Sequence, residues 1–178
     1  MGRQLFQDGP FIDPPITAPA AYSTTTIVPL WPMASWTPIY ANDAKAGKIY
    51  VVKAGGLITM SVATCTLVIT PKCNTVVMGA SPAQLLPVMA ALPWTLEAEL
   101  VFTFIGVGGA SKAFLSGKFC CQGTIATPGT GTVIPFGGTI VSTIDATALG
   151  GVEINTTLGG TTGAPSLQTI YAYIFSRN

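Results

Sequence analysis

Short runs of Val, Ile and Thr, each ended by glycine, proline or asparagine, constrain the fold of this chain more than any other feature. They recur from Tyr22 to the C-terminus, with turn signals every ~8 to 12 residues. The predicted strands are 24–30, 48–53, 57–62, 66–70, 75–78, 94–105, 113–122, 138–143, 151–157 and 168–175. About ten short strands without a fixed-period repeat predict an all-β sandwich or barrel.

Alternation within two runs predicts which side chains face the core. In 94–105 the apolar Trp94 and Leu100 fall on one face, while Glu97 and Glu99 fall on the other. In 168–175, Ile170, Ala172 and Ile174 share a face opposite Thr169, Tyr171, Tyr173 and Phe175. One short helical stretch is expected, at 82–91, where alanines and leucines interleave with prolines.

The first 22 residues read as an extended arm, followed by a single sandwich domain over 23–178. Pro10, Pro14, Pro15 and Pro19 exclude a helix or an interior strand in the arm. Its apolar residues Phe6, Phe11 and Ile12 are candidate contacts with a neighbouring protein, the alternative being a frayed terminus. Trp31 and Trp36 are candidate interface anchors because aromatic residues dominate binding hot spots, and a core role for each is equally open.

Charged residues are scarce, which indicates that much of the surface meets other protein. Eight basic and seven acidic residues make up 8% of the 178 residues, and 49% are hydrophobic. Soluble domains are usually ~25% charged, and a thinly charged surface tends to associate. The best membrane candidate, 76–93, contains Pro82, Pro87 and Pro93, and no secretory signal is recognisable at the N-terminus. We therefore expect a soluble protein whose partners are proteins.

The residues around Trp94 carry a resemblance to a known group of proteins. The sequence Leu-Pro-Trp-Thr-Leu-Glu-Ala-Glu-Leu (92–100) precedes a Gly-rich segment at 105–110 and a strand that contains Gly117. Upstream, 49–59 reads as a strand, an Ala-Gly turn and a second strand. Across roughly 45–178 this order resembles small virion proteins of tailed bacteriophages, of the capsid decoration or cement type.

The resemblance implies a jelly-roll sandwich that sits on the outer surface of the capsid. Its partners would be the major capsid protein and two further copies of itself in a homotrimer, made in the host cytoplasm. The Pro-rich arm and the cysteine-containing strands depart from the pattern. A second hypothesis is a receptor-binding jelly-roll module of a tail fibre or spike, which would expose aromatic residues to glycans or protein.

Catalysis, cofactors and metals are not expected. Without histidine the usual serine or cysteine nucleophile lacks its base, and imidazole metal sites are excluded. Glu97 and Glu99 would lie ~7 Å apart, a spacing used by inverting glycosidases, but both point the same way and cannot flank a sugar. The glycines of 106–109 precede neither a P-loop lysine nor a helix.

Cysteines and basic residues complete the expectations. Cys65, Cys73, Cys120 and Cys121 lack the spacing of a zinc site, so reduced cysteines are expected, with a Cys65–Cys73 bridge as the leading exception. Only one of Cys120 and Cys121 can face the core of the sheet. No basic run exists, so binding to nucleic acid is not expected.

Overall fold

The computed structural model describes residues 26–33, 37–60, 65–122, 131–160 and 165–177. The predicted arm, 1–22, lies outside these ranges. Eleven strands form the regular structure of the described residues: β1 Val28–Pro29, β2 Pro38–Ile39, β3 Ile49–Met60, β4 Thr66–Cys73, β5 Val76–Val77, β6 Gln84–Leu85, β7 Met89–Phe104, β8 Ser111–Gln122, β9 Gly131–Ile144, β10 Gly150–Leu158 and β11 Ser166–Arg177.

The strands form two antiparallel sheets that pack face to face. The large sheet has the order β11-β3-β7-β8-β9, and the small sheet has the order β1-β10-β4-β5, with β2 paired to β10 and β6 to β4. In the large sheet β7, β8 and β9 follow one another as a meander, and β11 returns to lie beside β3. The predicted all-β sandwich is confirmed.

The core lies between the inner faces of the two sheets. Trp94 is 1% exposed and Leu100 is fully buried, as the alternation in 94–105 predicts. The Trp94 ring stacks on Phe119 with 5.1 Å between centroids and 21° between planes. From the small sheet, Ile69 and Ile154 pack into the same cluster. Burial of this one apolar layer holds the sheets together.

The prediction of an Ala-Gly turn at 54–56 is wrong, because strand β3 runs through these residues without interruption. Gly55 pairs with Tyr171 of β11 on one side and with Thr95 of β7 on the other. A Cβ at Gly55 would lie 2.7 Å from the Tyr171 ring, and one at Gly56 would overlap the Gln168 carbonyl. The glycines therefore admit close neighbours within a strand rather than turning the chain.

A bulge in β11 corrects the predicted face of Ile170. The register with β3 shifts between Thr169 and Tyr171, which leaves Ile170 without a place in the alternation. Ile170 is accordingly 44% exposed, whereas Thr169 is 2% exposed. Beyond the bulge Ala172 and Ile174 face the core as predicted.

The short helix expected at 82–91 is also wrong. This segment contains β6, a connection at 86–88 and the first residues of β7. Pro82 and Pro87 have no N–H to donate to a helix, and the Leu86 N–H donates instead to the Cys65 carbonyl at 3.2 Å. The prolines therefore dominate over the helix propensity of the alanines and leucines around them.

Candidate functional site

Trp31 occupies the core, which is one of the two roles left open for it. It is 1% exposed, and its indole N–H donates to Thr37 Oγ1 at 2.8 Å and to the Val152 carbonyl at 3.3 Å. A residue held in this way has no surface with which to anchor a partner. Of the other interface candidates, Phe6, Phe11, Ile12 and Trp36 lie outside the described residues.

Four large apolar side chains are exposed in or beside the connections at one end of the sandwich. The pairs Ile49 with Val101 and Ser111 with Ile144 bring three connections to this end, namely 40–48, 105–110 and 145–149. We call this end of the sandwich the loop end. Tyr40, Phe104, Val107 and Leu149 are the loop-end cluster, and they are 55%, 51%, 90% and 59% exposed, respectively. Exposed apolar side chains at one end of a domain are a candidate protein-binding surface.

Hydrogen bonds hold the loops of this end in place. The Asn42 N–H donates to the Ala146 carbonyl at 3.0 Å, which joins the first loop to the third. The Asn74 amide donates to the Asp145 carbonyl at 3.0 Å and accepts the Gly151 N–H at 2.9 Å. In the second loop the Gly106 N–H donates to Ser111 Oγ at 3.1 Å. These bonds reduce the conformational entropy that binding through the loops would cost.

A small polar cluster fixes the first loop to β3. Lys48 Nζ lies 2.6 Å from Asp43 Oδ1, and the Tyr50 hydroxyl donates to Asp43 Oδ2 at 2.9 Å. Partial burial alone would raise the pKa of Asp43, but the hydrogen bonds from Lys48 and Tyr50 outweigh it and lower that pKa. Burial, with the bond to Asp43, raises the pKa of the Tyr50 hydroxyl. The carboxylate is therefore the form that this loop requires.

A second surface, the outer groove, lies on the solvent side of the large sheet. It is a shallow depression of about 350 Å³, lined on this face by Lys53, Thr95, Glu97, Lys118, Cys120 and Tyr171. Glu97 stands directly between Lys53 of β3 and Lys118 of β8 in the register. Lys53 Nζ lies 3.1 Å from the Glu97 carboxylate. The groove thus combines donors, an acceptor and an aromatic ring.

An aromatic ladder on β11 borders the groove. Tyr171, Tyr173 and Phe175 occupy alternate positions, with 6.2 Å between successive ring centroids and planes inclined by 26° and 27°. Arg177 lies over Phe175, and its guanidinium is 3.8 Å from Glu99. Glu97 and Glu99 are on the outer face, as predicted. Glu97 is paired with Lys53 of the adjacent strand β3, and Glu99 is paired with Arg177 of β11, one strand further away.

All four cysteines are free thiols. Cys65 precedes β4 and Cys73 ends it, so their Cα atoms are ~25 Å apart along an extended strand. A disulfide needs a distance between Cα atoms of less than ~7 Å. The prediction of a Cys65–Cys73 bridge, the exception allowed to reduced cysteines, is therefore wrong. Cys121 is buried and Cys120 is half-buried on the opposite face, which confirms that only one of them faces the core. Burial raises the pKa of Cys73 to about 12.

Sequence reasoning did not identify the loop-end cluster. Val107, between two glycines of the 105–110 segment, was the one available signal, because an apolar residue in such a turn has nothing to pack against. Tyr40 and Leu149 lie in short connections with no comparable pattern. They lie at the same end of the sandwich only because the strand order brings their loops there.

Comparisons with known proteins identify no relative of this chain. No family model matches the chain, and neither the curated proteins nor the solved structures include a significant match. Within the described ranges, no helix has the length and apolar character to cross a membrane. Among those same residues, no group of three or more His, Cys, Asp or Glu is placed to hold a metal ion.

Proposed function

We propose that this protein is a virion structural protein, a decoration protein that binds the major capsid protein lattice on the outside of the head as a homotrimer. The observation that carries the proposal is the loop-end cluster, four exposed apolar side chains at one end of a chain that is only 8% charged. The resemblance of 45–178 to phage decoration proteins agrees with it.

The mechanism is thermodynamic and involves no chemical step. Burying a large apolar side chain contributes ~1.5 to 3 kcal/mol when it was fully exposed and about half of that when it was half exposed. Four such side chains therefore offer several kcal/mol against the capsid surface. A trimer would engage three sites at once, which raises the overall affinity through effective concentration. Binding to the assembled lattice alone then stabilises the shell by mass action.

The outer groove favours a second candidate function, that of a receptor-binding module on a tail fibre or spike. Its aromatic ring and polar side chains suit a ligand, whereas the loop-end cluster suits a protein surface. Copy number separates the two functions. A decoration protein occurs in hundreds of copies per particle, and a receptor binder in a few dozen at most.

The test uses purified particles and aspartate substitutions. We expect Val107→Asp to abolish cosedimentation of the protein with capsids, because it places a charge at the most exposed member of the loop-end cluster. The matched control is Val88→Asp, since Val88 is also an exposed valine, at 50%, but lies in the connection at the opposite end. Full capsid binding by Val107→Asp, or equal loss in both variants, would refute this assignment of the surface.

A further inference from the structure

In the outer groove, the glycine at position 55 leaves space for the ring of Tyr171 to lie against β3. Tyr171 stands opposite Gly55 in the register, and a Cβ at Gly55 would lie 2.7 Å from Cε1 and from the hydroxyl oxygen of that ring. The missing side chain lets the phenol rest on β3 and reach toward Thr95 of β7. Held there, the ring is still 38% exposed. The groove therefore presents a positioned aromatic surface to solvent.

Polar groups next to this ring are both donors and acceptors. Lys53, Glu97 and Lys118 form one row across three strands, and Thr95 and Cys120 form part of the next row. Glu97 is paired with Lys53, while Lys118 has no ion-pair partner among the described residues. Two lysines beside one glutamate leave a single uncompensated positive charge on an exposed strand position.

We propose that the outer groove binds an acidic saccharide, a sugar chain that carries carboxylates. An aromatic ring packs against the C–H face of a sugar, and neighbouring lysine, glutamate and threonine groups match hydroxyls that both donate and accept. The surplus positive charge of Lys118 can pair with one carboxylate, that of the sugar bound next to the Tyr171 ring. A doubly charged phosphate is disfavoured, because Glu97 lies in the same row. The proposal is independent of the capsid-binding function, which uses a different surface, and it names the ligand class for the second candidate function, receptor binding through this same groove.

Cys120 provides a direct readout of this site, because its half-buried thiol lines the groove. The probe is an oligogalacturonate of about six sugars, and the comparison ligand is maltohexaose, a neutral chain of equal length. We expect the oligogalacturonate to slow modification of Cys120 by a neutral maleimide, as located by peptide mass spectrometry. We expect maltohexaose to give much weaker protection. Absence of protection at millimolar oligogalacturonate, or equal protection by maltohexaose, would overturn the proposal.

Substitutions then assign the binding to named groups. Lys118→Gln should raise the oligogalacturonate concentration needed for protection about tenfold, which is the loss expected for one charge-assisted hydrogen bond. Lys112→Gln is the matched control, since Lys112 is an exposed lysine on the same strand and the same face, ~20 Å away. Tyr171→Phe should retain protection, and Tyr171→Leu should lose about tenfold. An equal loss of protection in Lys112→Gln would mean that the oligogalacturonate is attracted to any cationic surface, and it would refute the proposal.

Discussion

Replacing Gly56 by alanine tests how the large sheet is held together. Gly56 lies in the middle of β3, between Thr169 of β11 and Trp94 of β7. A Cβ there would overlap the Gln168 carbonyl oxygen and lie 2.9 Å from the Cα atom of Thr169. Both are backbone atoms, so no side-chain rotation relieves the overlap. The bulge of β11 must move instead.

The cost follows from what that movement breaks. Relieving the overlap costs ~1 to 3 kcal/mol, as for overpacking in other cores. The Gln168 carbonyl accepts the Trp94 indole N–H at 3.1 Å, and losing this hydrogen bond costs ~0.5 to 1.5 kcal/mol. Alanine returns ~0.4 to 1 kcal/mol by restricting the unfolded chain. The net destabilisation lies between about 0.5 and 4 kcal/mol, with a central value of about 2 kcal/mol, which corresponds to a melting temperature lower by about 4 to 8 °C.

The measurement is urea unfolding followed by tryptophan fluorescence, with calorimetry for the melting temperature. Gly160→Ala is the control, because no atom of the described residues beyond its chain neighbours lies within 4 Å of its Cβ position, and its stability should change by less than ~0.5 kcal/mol. If Gly56→Ala were as stable as the natural protein, the close approach of β11 to β3 would not be the reason for this glycine.

Three further predictions follow from single contacts. Trp94→Phe should lower the free energy of unfolding by about 2 kcal/mol, through the lost indole hydrogen bond and the space left beside Phe119; urea unfolding measures it, and no change would contradict the buried role. Asp43 has a lowered pKa in the folded state, so its stabilisation is present above pH ~4 and is lost as pH falls through the folded pKa. The Asp43 side chain is 41% exposed, so solvent screening keeps the effect below ~1 kcal/mol. The melting temperature of Asp43→Asn should therefore fall less between pH 6 and pH 3 than that of the natural protein, and equal falls would refute the contribution. Cys120 should be the first of the four cysteines to react with iodoacetamide in the native protein, because the other three are buried, and faster labelling of any other cysteine by mass spectrometry would contradict the packing.

The local sequence pattern was sufficient to predict which side chains are buried in strands that have one buried face. The alternation around Trp94 and Leu100 predicts their burial, and the adjacent Cys120 and Cys121 divide between the two faces as expected. The boundaries were less predictable. The run 138–143 is only part of β9, which begins at Gly131, because Gly137 and Gly138 lie within the strand at positive φ rather than ahead of it.

Glycines and isolated apolar residues were ambiguous in sequence because their meaning depends on the opposite strand. Gly55 and Gly56 have the composition of a turn, yet they lie under Tyr171 and Gln168 in a continuous strand. Ile170 fits the alternation of its run, yet the bulge turns it outward. Each outcome depends on contacts between residues more than 100 positions apart, and these contacts leave no mark on the local sequence.

The sequence by itself determined the fold class and the scarcity of charge, because strand propensity, turn residues and composition are local properties of the chain. Only the tertiary structure decided that Trp31 is a core residue, that the exposed apolar side chains gather at the loop end, and that Lys53, Glu97 and Lys118 form one row beside Tyr171. The reason is strand order and register, which bring distant residues together only when the two sheets bury their apolar faces against each other.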